Sequence, residues 1–268
     1  MKITTFIVDA FTDKPFKGNA AGICLLIKPL DVSSMQSIAT ELKHSETAFI
    51  QNLGSGKFFI RYFTPTTEIS FCGHATLGAC KIAFDKLGLK EVEFTTHSGL
   101  VLTAEKKGTE IIMKFPLYET IPYTVKNETL VALGITNYIS SELAPTLDML
   151  VIEVGDRQTI ERLNPDYKLL AQSDSDLKEV TITCSSLDGQ YDFYSRCFCP
   201  WIGIDEDPVT GAAHSVLAKY WQDKLGKSEM KAYQCSERGG YLHLKVKSES
   251  LLEVTSNAVI ILEGEINL

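Results

Sequence analysis

The chain has 268 residues, 44% of them hydrophobic and 22% charged, a composition typical of a soluble globular protein with one large domain or two ordinary ones. The net charge is −8 and there is no long basic run, which makes nucleic acid and anionic membranes poor partners. No uncharged apolar stretch reaches the length of about eighteen residues that predicts a transmembrane helix. The seven scattered cysteines predict reduced thiols in a cytoplasmic protein, without a disulfide framework or zinc-type spacing.

The first half predicts a strand-rich domain with two helices. A first helix is capped by Asp31 or Ser33 and runs to about Lys43, and a second runs from about Gly73 to Leu87. The second helix is apolar nearly all round, which is typical of a buried helix. Strands are predicted after Glu46 and at residues 2–10, 20–27, 57–64, 91–96, 99–105 and 110–115.

The second half repeats this pattern after a crossing segment between Leu117 and Asn127. Asn127 is expected to cap a short helix that ends at Gly134. The run 173–176 is interpreted as a solvated loop. Strands are predicted at 147–154, 178–184, 190–198, 229–235, 240–247, 251–255 and 257–263, and helices at 156–163, 166–172 and 211–225.

The predicted fold class is therefore α+β, with two pseudo-symmetric domains that each wrap a mixed β-sheet around a central apolar helix. The first domain is expected to comprise residues 1–118, completed by the C-terminal strand 256–268. The second is expected to comprise residues 119–255.

An internal repeat supports this duplication, although a short pattern can also match by chance. The segments 61–65 and 196–200 share an arginine, a phenylalanine and a proline at matching offsets. Each segment leads into an acidic loop and then a glycine that opens an apolar helix, Gly73 in one and Gly211 in the other. Two helix N-termini facing one cleft between domains would suit a small carboxylate ligand.

Three titratable side chains are the candidate catalytic residues. Glu46 enters an apolar strand, where a partly desolvated carboxylate with a raised pKa can act as a general base, although an exposed charge at a strand start fits the local sequence better. His74 follows Gly73 and is either a proton relay or a capping residue. Pro208 holds the backbone of Asp207 extended, ahead of the second helix.

Cys72 precedes Gly73, where a helix N-terminus stabilises a thiolate. A racemase with two thiols needs a matching cysteine in the second half, but the aligned residue is Thr210. A buried core thiol is therefore the favoured interpretation of Cys72. The chain also lacks dinucleotide-binding, phosphate-loop and nucleophile-elbow motifs, so no cofactor or metal is expected.

Several segments form a set of motifs that lie in order along most of the chain: 9–12 with 18–20, 45–49, 61–78 and 206–214. Taken together, these motifs are highly specific. They resemble the phenazine-biosynthesis PhzF-like family, which has the diaminopimelate epimerase fold.

The resemblance implies a catalytic cleft between two domains, usually in a homodimer, and an isomerase without a cofactor. It implies that Glu46 is the acid/base residue, assisted by His74 and Asp207. The family's glycine contacts fall on Gly73 and Gly211. Its small hydroxyl residue after the second glycine is Ala212 here, which leaves the substrate open.

We therefore predict an isomerase that shifts a proton next to the carboxylate of a small anionic substrate. One alternative is a racemase or epimerase that uses the single thiol of Cys72. Another is a metabolite-binding protein without catalysis.

Overall fold

The computed structural model covers residues 1–268, and the chain divides into two compact units. The first unit is Met1–Lys114 with Thr255–Leu268, and the second is Phe115–Val254. None of the helices has both the length and the apolar character needed to cross a membrane.

The elements of the first half alternate strands with two helices. In chain order they are β1 Lys2–Ala10, β2 Asn19–Leu26, α1 Val32–Leu42, β3 Thr47–Gly54, β4 Lys57–Phe63, β5 Glu68–Ile69, α2 Gly73–Asp85, β6 Glu91–Thr96, β7 Val101–Lys107 and β8 Glu110–Pro116. The Asp31 carboxylate caps α1 by accepting a hydrogen bond from the Ser34 N–H, as predicted.

The second half has more helical turns and ends in a long strand. Its elements are β9 Ile121–Pro122, α3 Asn127–Leu133, β10 Ser140–Ala144, β11 Met149–Glu153, α4 Arg157–Arg162, α5 Tyr167–Ser173, β12 Glu179–Ser185, β13 Phe193–Cys199, a 3₁₀ turn Pro200–Ile202, β14 Ile204–Asp207, α6 Gly211–Leu225, β15 Glu229–Gln234, β16 Gly240–Ser248, β17 Leu251–Ser256 and β18 Ala258–Asn267.

The two units share one strand topology, which confirms the predicted pseudo-symmetric α+β class. In the first unit β2 is parallel to β3, β3 antiparallel to β4, β4 parallel to β6, and β6 antiparallel to β7. In the second unit β11, β12, β13, β15 and β16 repeat the same sequence of orientations. Strand β18 pairs with β1 along its length and so belongs to the first unit.

Each unit contains one buried helix at the centre of this pattern. Helix α2 buries ten of its thirteen residues, and α6 buries nine of its fifteen. The Trp221 ring of α6 stacks on Phe193 of β13 at a centroid distance of 5.7 Å, and its Nε1–H donates to Thr183 Oγ1 at 3.0 Å. These apolar faces exclude water from the sheet side of each helix and hold its N-terminus in place.

Two local predictions are wrong. Asn127 does not cap α3, because the extended backbone of the N-cap position belongs to Lys126 and Asn127 is already helical. Asp174 does not lie in a solvated loop, because its side chain is 1% exposed. The Asp174 carboxylate accepts hydrogen bonds from Tyr123 Oη at 2.8 Å and from Lys126 Nζ at 2.7 Å.

We expect Asp174→Ala to lower the free energy of unfolding by about 1–3 kcal/mol, because the change removes the buried carboxylate that accepts hydrogen bonds from Tyr123 and Lys126. Burial alone would raise the pKa of Asp174, but the hydrogen bonds from Lys126 and Tyr123 lower it overall. The stabilisation is therefore complete above the unfolded-state pKa of about 3.9 and disappears as the pH falls through the lowered pKa.

Urea unfolding of the variant at several pH values tests this expectation. Asp176→Ala is the matched control, because Asp176 is exposed and only its backbone N–H contacts Asp174. Equal losses of stability in the two variants would contradict it.

Candidate active site

Glu46, His74 and Cys72 form a compact polar cluster in the first unit. Glu46 directly precedes β3, where its carbonyl accepts a hydrogen bond from the Gly22 N–H at 3.2 Å. Its Oε2 lies 3.1 Å from His74 Nε2, and Cys72 Sγ lies 3.4 Å from His74 Nδ1. Ser45 Oγ adds a 3.4 Å contact to His74 Nε2. The imidazole is thus held between a carboxyl group and a thiol.

The cluster is buried, and its charges depend on one another. Glu46 is 9% exposed and His74 is 6% exposed. Burial alone would raise the pKa of Glu46, but the charge and hydrogen bond of His74 outweigh it and lower this pKa. Burial alone would lower the pKa of His74, but contacts with Cys72 and Glu46 raise it well above its ordinary value. Glu46 is therefore an ionised carboxylate and not an exposed charge. The raised pKa that the sequence predicts for it is wrong, because the contact with His74 outweighs burial.

The Cys72 thiol ionises less readily than an exposed cysteine. Burial raises the pKa of Cys72, and the Glu46 carboxylate adds to this rise, while His74 opposes it. Cys72 is buried, as the core-thiol interpretation of the sequence requires, and desolvation of the charged form outweighs the stabilisation of a thiolate by the helix N-terminus.

The start of α2 leaves its first N–H groups open to a ligand. Cys72 is the N-cap residue of α2, and its side chain makes no capping hydrogen bond. The Cys72 carbonyl instead accepts a hydrogen bond from Thr76 Oγ1 at 2.6 Å, and Tyr62 Oη lies 2.6 Å from the same hydroxyl. The N–H groups of the first helical turn favour anions, so this end of α2 suits a carboxylate or an oxyanion.

The donor atoms of Glu46, Cys72 and His74 all lie within 4.8 Å of one another, which is close enough for one metal ion to bridge them. The sequence did not reveal this spacing, because 25 residues separate Glu46 from the Cys72 segment. Only the position of β3 beside α2 brings the groups together.

Asp207 and Thr210 form the corresponding cluster in the second unit. Thr210 is the N-cap residue of α6, but its hydroxyl donates to Asp207 Oδ2 at 2.5 Å and makes no capping hydrogen bond to the helix. Gln234 is fully buried; it donates to the Asp207 carbonyl at 2.6 Å and accepts from the Thr210 N–H at 3.0 Å. His214 Nδ1 contacts the Thr210 carbonyl at 2.7 Å, and burial lowers the pKa of His214 to about 4.

The predicted glycine contacts lie at the helix starts. Gly73 and Gly211 are the first residues of α2 and α6, and Ala212 follows as a half-buried residue. Ala212 occupies the place that His74 has in the first unit. The sequence pointed to Asp207 through its motif but not to Gln234, since a glutamine at the end of a strand carries no distinctive signal.

Equivalent ion pairs hold both loops that lead to these helices. Arg61 forms a bidentate pair with Glu68, with both N–O distances 2.7 Å. Arg196 forms the same pair with Glu206, also at 2.7 Å twice. The acidic residue in each loop is therefore a bidentate partner that fixes the loop, and is more than a solvated charge.

Comparisons with known proteins agree with the fold. The family profile of the phenazine biosynthesis-like proteins, PhzC-PhzF, matches residues 8–264. An uncharacterised isomerase of Halalkalibacterium halodurans is 40% identical over 273 residues, which cover 100% of both chains. The phenazine biosynthesis-like domain-containing protein 2 of Mus musculus is 38% identical over 285 residues, which cover 98% of this chain and 99% of that one.

A solved structure gives the same result. The PhzF-family phenazine biosynthesis protein of Enterococcus faecalis superposes with a TM-score of 0.91 at 36% identity, covering 100% of both chains. The fold and these relatives define an isomerase with an epimerase-like α+β fold. The chain belongs to the phenazine biosynthesis-like PhzF family.

We expect Glu46→Gln to lower the pKa of His74, because the substitution removes the carboxylate that stabilises the imidazolium. A titration followed by ¹⁵N NMR of the histidine ring nitrogens measures this change. Glu41→Gln removes an exposed carboxylate from α1 and serves as the control. An unchanged His74 midpoint in Glu46→Gln would show that the two side chains are not coupled.

Proposed function

We propose that this isomerase shifts a proton at the carbon next to a carboxylate in a small acidic substrate, without a cofactor, with Glu46 as the base. The observation that carries the proposal is the buried contact of 3.1 Å between Glu46 and His74. A base in such a place is desolvated, oriented and ionised before the substrate arrives, and these are the properties that proton abstraction requires.

The first unit also offers groups that would stabilise the anion formed by this step. Loss of a proton next to a carboxylate spreads negative charge over the carboxylate oxygens. The raised pKa of His74 keeps a positive charge beside Glu46, and the uncapped N-terminus of α2 offers backbone N–H donors. Both features support an anionic intermediate more strongly than a neutral one.

Return of the proton requires a second proton-carrying group. Asp207 in the second unit is our candidate, as the family motif implies. Its carboxylate is oriented by the Thr210 hydroxyl, and its backbone carbonyl by Gln234. The small anionic substrate and the absence of a cofactor are parts of the same proposal.

The test is hydrogen exchange in deuterated water across a panel of small carboxylic and amino acids, read by mass shift. We expect Glu46→Gln to slow exchange into the active compound by about 10²–10⁴-fold, the range that general base catalysis contributes. Glu41→Gln should exchange at the wild-type rate. Near wild-type exchange in Glu46→Gln would remove Glu46 as the base.

The same assay separates the two alternative functions. Cys72 touches His74 and could serve as a single thiol base, although burial raises its pKa and so disfavours the thiolate. We expect Cys72→Ala to retain most of the exchange activity, and its complete loss would favour the thiol mechanism. Binding of a compound without any exchange would indicate a metabolite-binding protein.

A further inference from the structure

Glu179 is the counterpart of Glu46 in the second unit, and strand register establishes this equivalence. The residue after Glu46 is Thr47, which pairs with Phe63 of β4. The residue after Glu179 is Val180, which pairs with Phe198 of β13. The two phenylalanines are themselves equivalent, because each lies two residues after the arginine of a bidentate pair.

Glu179 lies on the same face of its sheet as the cluster around Asp207. The Cys197 thiol of β13 donates to Glu179 Oε2 at 3.8 Å. Cys197 is in turn paired with Asp207 of β14. Asp207 accepts the hydrogen bond of Thr210 at the start of α6. Glu179 thus stands near the N-terminus of the buried helix, as Glu46 does beside α2.

The two glutamates differ in the charge of their partners. Glu46 contacts His74, but the residue at the equivalent place in the second unit is Ala212. Asp207 pairs with Cys197, whereas the residue at the equivalent place in the first unit is Ile69, which pairs with Tyr62. Glu46 therefore has a histidine partner and no acidic neighbour at the place of Ile69. Glu179 has an acidic neighbour, Asp207, and no histidine partner.

The different partners shift the pKa values of the two glutamates in opposite directions. Burial raises the pKa of Glu179, and the negative charge of Asp207 raises it further, to about 7. Cys197 remains a neutral thiol, since burial and the two nearby carboxyl groups raise its pKa. Lys178, which pairs with Asp148, acts weakly in the opposite direction.

The remaining elements packed around Glu179 add no charge. Met149 of β11 stands opposite Glu179 in the sheet. Thr210, which precedes α6, is uncharged, and His214 of α6 is neutral above about pH 4. The protonation of Glu179 is therefore governed by its burial and by Asp207.

We propose that Glu179 is a positioning residue that keeps one proton on the Glu179–Asp207 carboxyl pair at neutral pH, so that the second unit supplies the proton donor of the isomerisation. The inference rests on the proposed function, in which Asp207 returns the proton. In that step one O–H bond of the pair breaks and one C–H bond forms on the substrate. The pair changes from one negative charge to two, while Glu46 carries the proton that it removed from the substrate. Glu46 then releases this proton to water and the pair takes one up from water, so both units return to their starting state.

The titration of Glu179 can be measured directly by ¹³C NMR of protein labelled at its glutamate carboxyl carbons, with Glu179→Gln identifying the signal. We expect a midpoint near pH 7 in the wild-type protein. Asp207→Asn should lower this midpoint, because it removes the neighbouring negative charge. Asp205→Asn is the matched control, since Asp205 is an exposed residue of the same strand, β14, and its loss should leave the midpoint unchanged.

A Glu179 midpoint in the ordinary range of about 4.3 would overturn the proposal. So would a midpoint that is the same in Asp207→Asn and in wild type. If Glu179→Gln does not fold, the signal that moves in Asp207→Asn and stays in Asp205→Asn decides the question. The NMR measurement needs no turnover, so it stands apart from the Glu46→Gln exchange test of the proposed function.

An activity measurement tests the role of the pair. With the compound found in the exchange panel, we expect the wild-type rate to fall above about pH 7, as the pair loses its proton. In Glu179→Gln this fall should begin at lower pH, because a glutamine side chain cannot hold the proton of the pair. A lower rate with an unshifted pH profile would mean that Glu179 has a structural role only, which would overturn the proposal.

Discussion

The buried contact between Glu46 and His74 is the interaction on which the proposed chemistry of this protein depends. Neither group would keep its charge at such depth alone, because desolvation raises the pKa of a carboxyl group and lowers that of an imidazole. Together each stabilises the charged form of the other, against the cost of burial. The fold supplies this arrangement by ending a loop at β3 directly beside the first turn of α2. The contact turns a buried glutamate into an available base.

The duplicated scaffold explains how two loops of different length lead to equivalent places in their own units. Each loop leaves its strand after an arginine and is closed by a bidentate carboxylate, Glu68 in the first unit and Glu206 in the second. Planar two-point pairs of this kind fix both distance and orientation. Each loop then enters a helix that is buried along most of its length, so the helix N-terminus has little freedom to shift. The ion pairs and the buried helices are therefore repeated in the two units, whereas the side chains at the helix starts differ.

Much of this could be predicted from the sequence, for physical reasons that differ by residue. Helix α6 was predicted at its observed bounds because Gly211 and Gly226 enclose an apolar run. Asp174 was missed, since a run of serines and aspartates has the composition of a solvated loop and its partners lie 48 and 51 residues away. Glu179 was missed because a glutamate at a strand start is ordinarily exposed. Only strand register reveals that it matches Glu46.

The divergence of the two units follows from the side chains at two equivalent places. With the same partner in both units, the two glutamates would have similar pKa values, and neither would be favoured as the group that holds a proton. Ala212 lacks the cation that His74 supplies in the first unit, and Asp207 adds an anion where the first unit has Ile69. Each difference moves the pKa of the nearby glutamate upward. Separating the pKa values of two equivalent carboxyl groups is what acid–base catalysis at neutral pH requires. On this argument, the partner side chains, and not the glutamates themselves, determine which carboxyl group is the base and which belongs to the proposed proton donor.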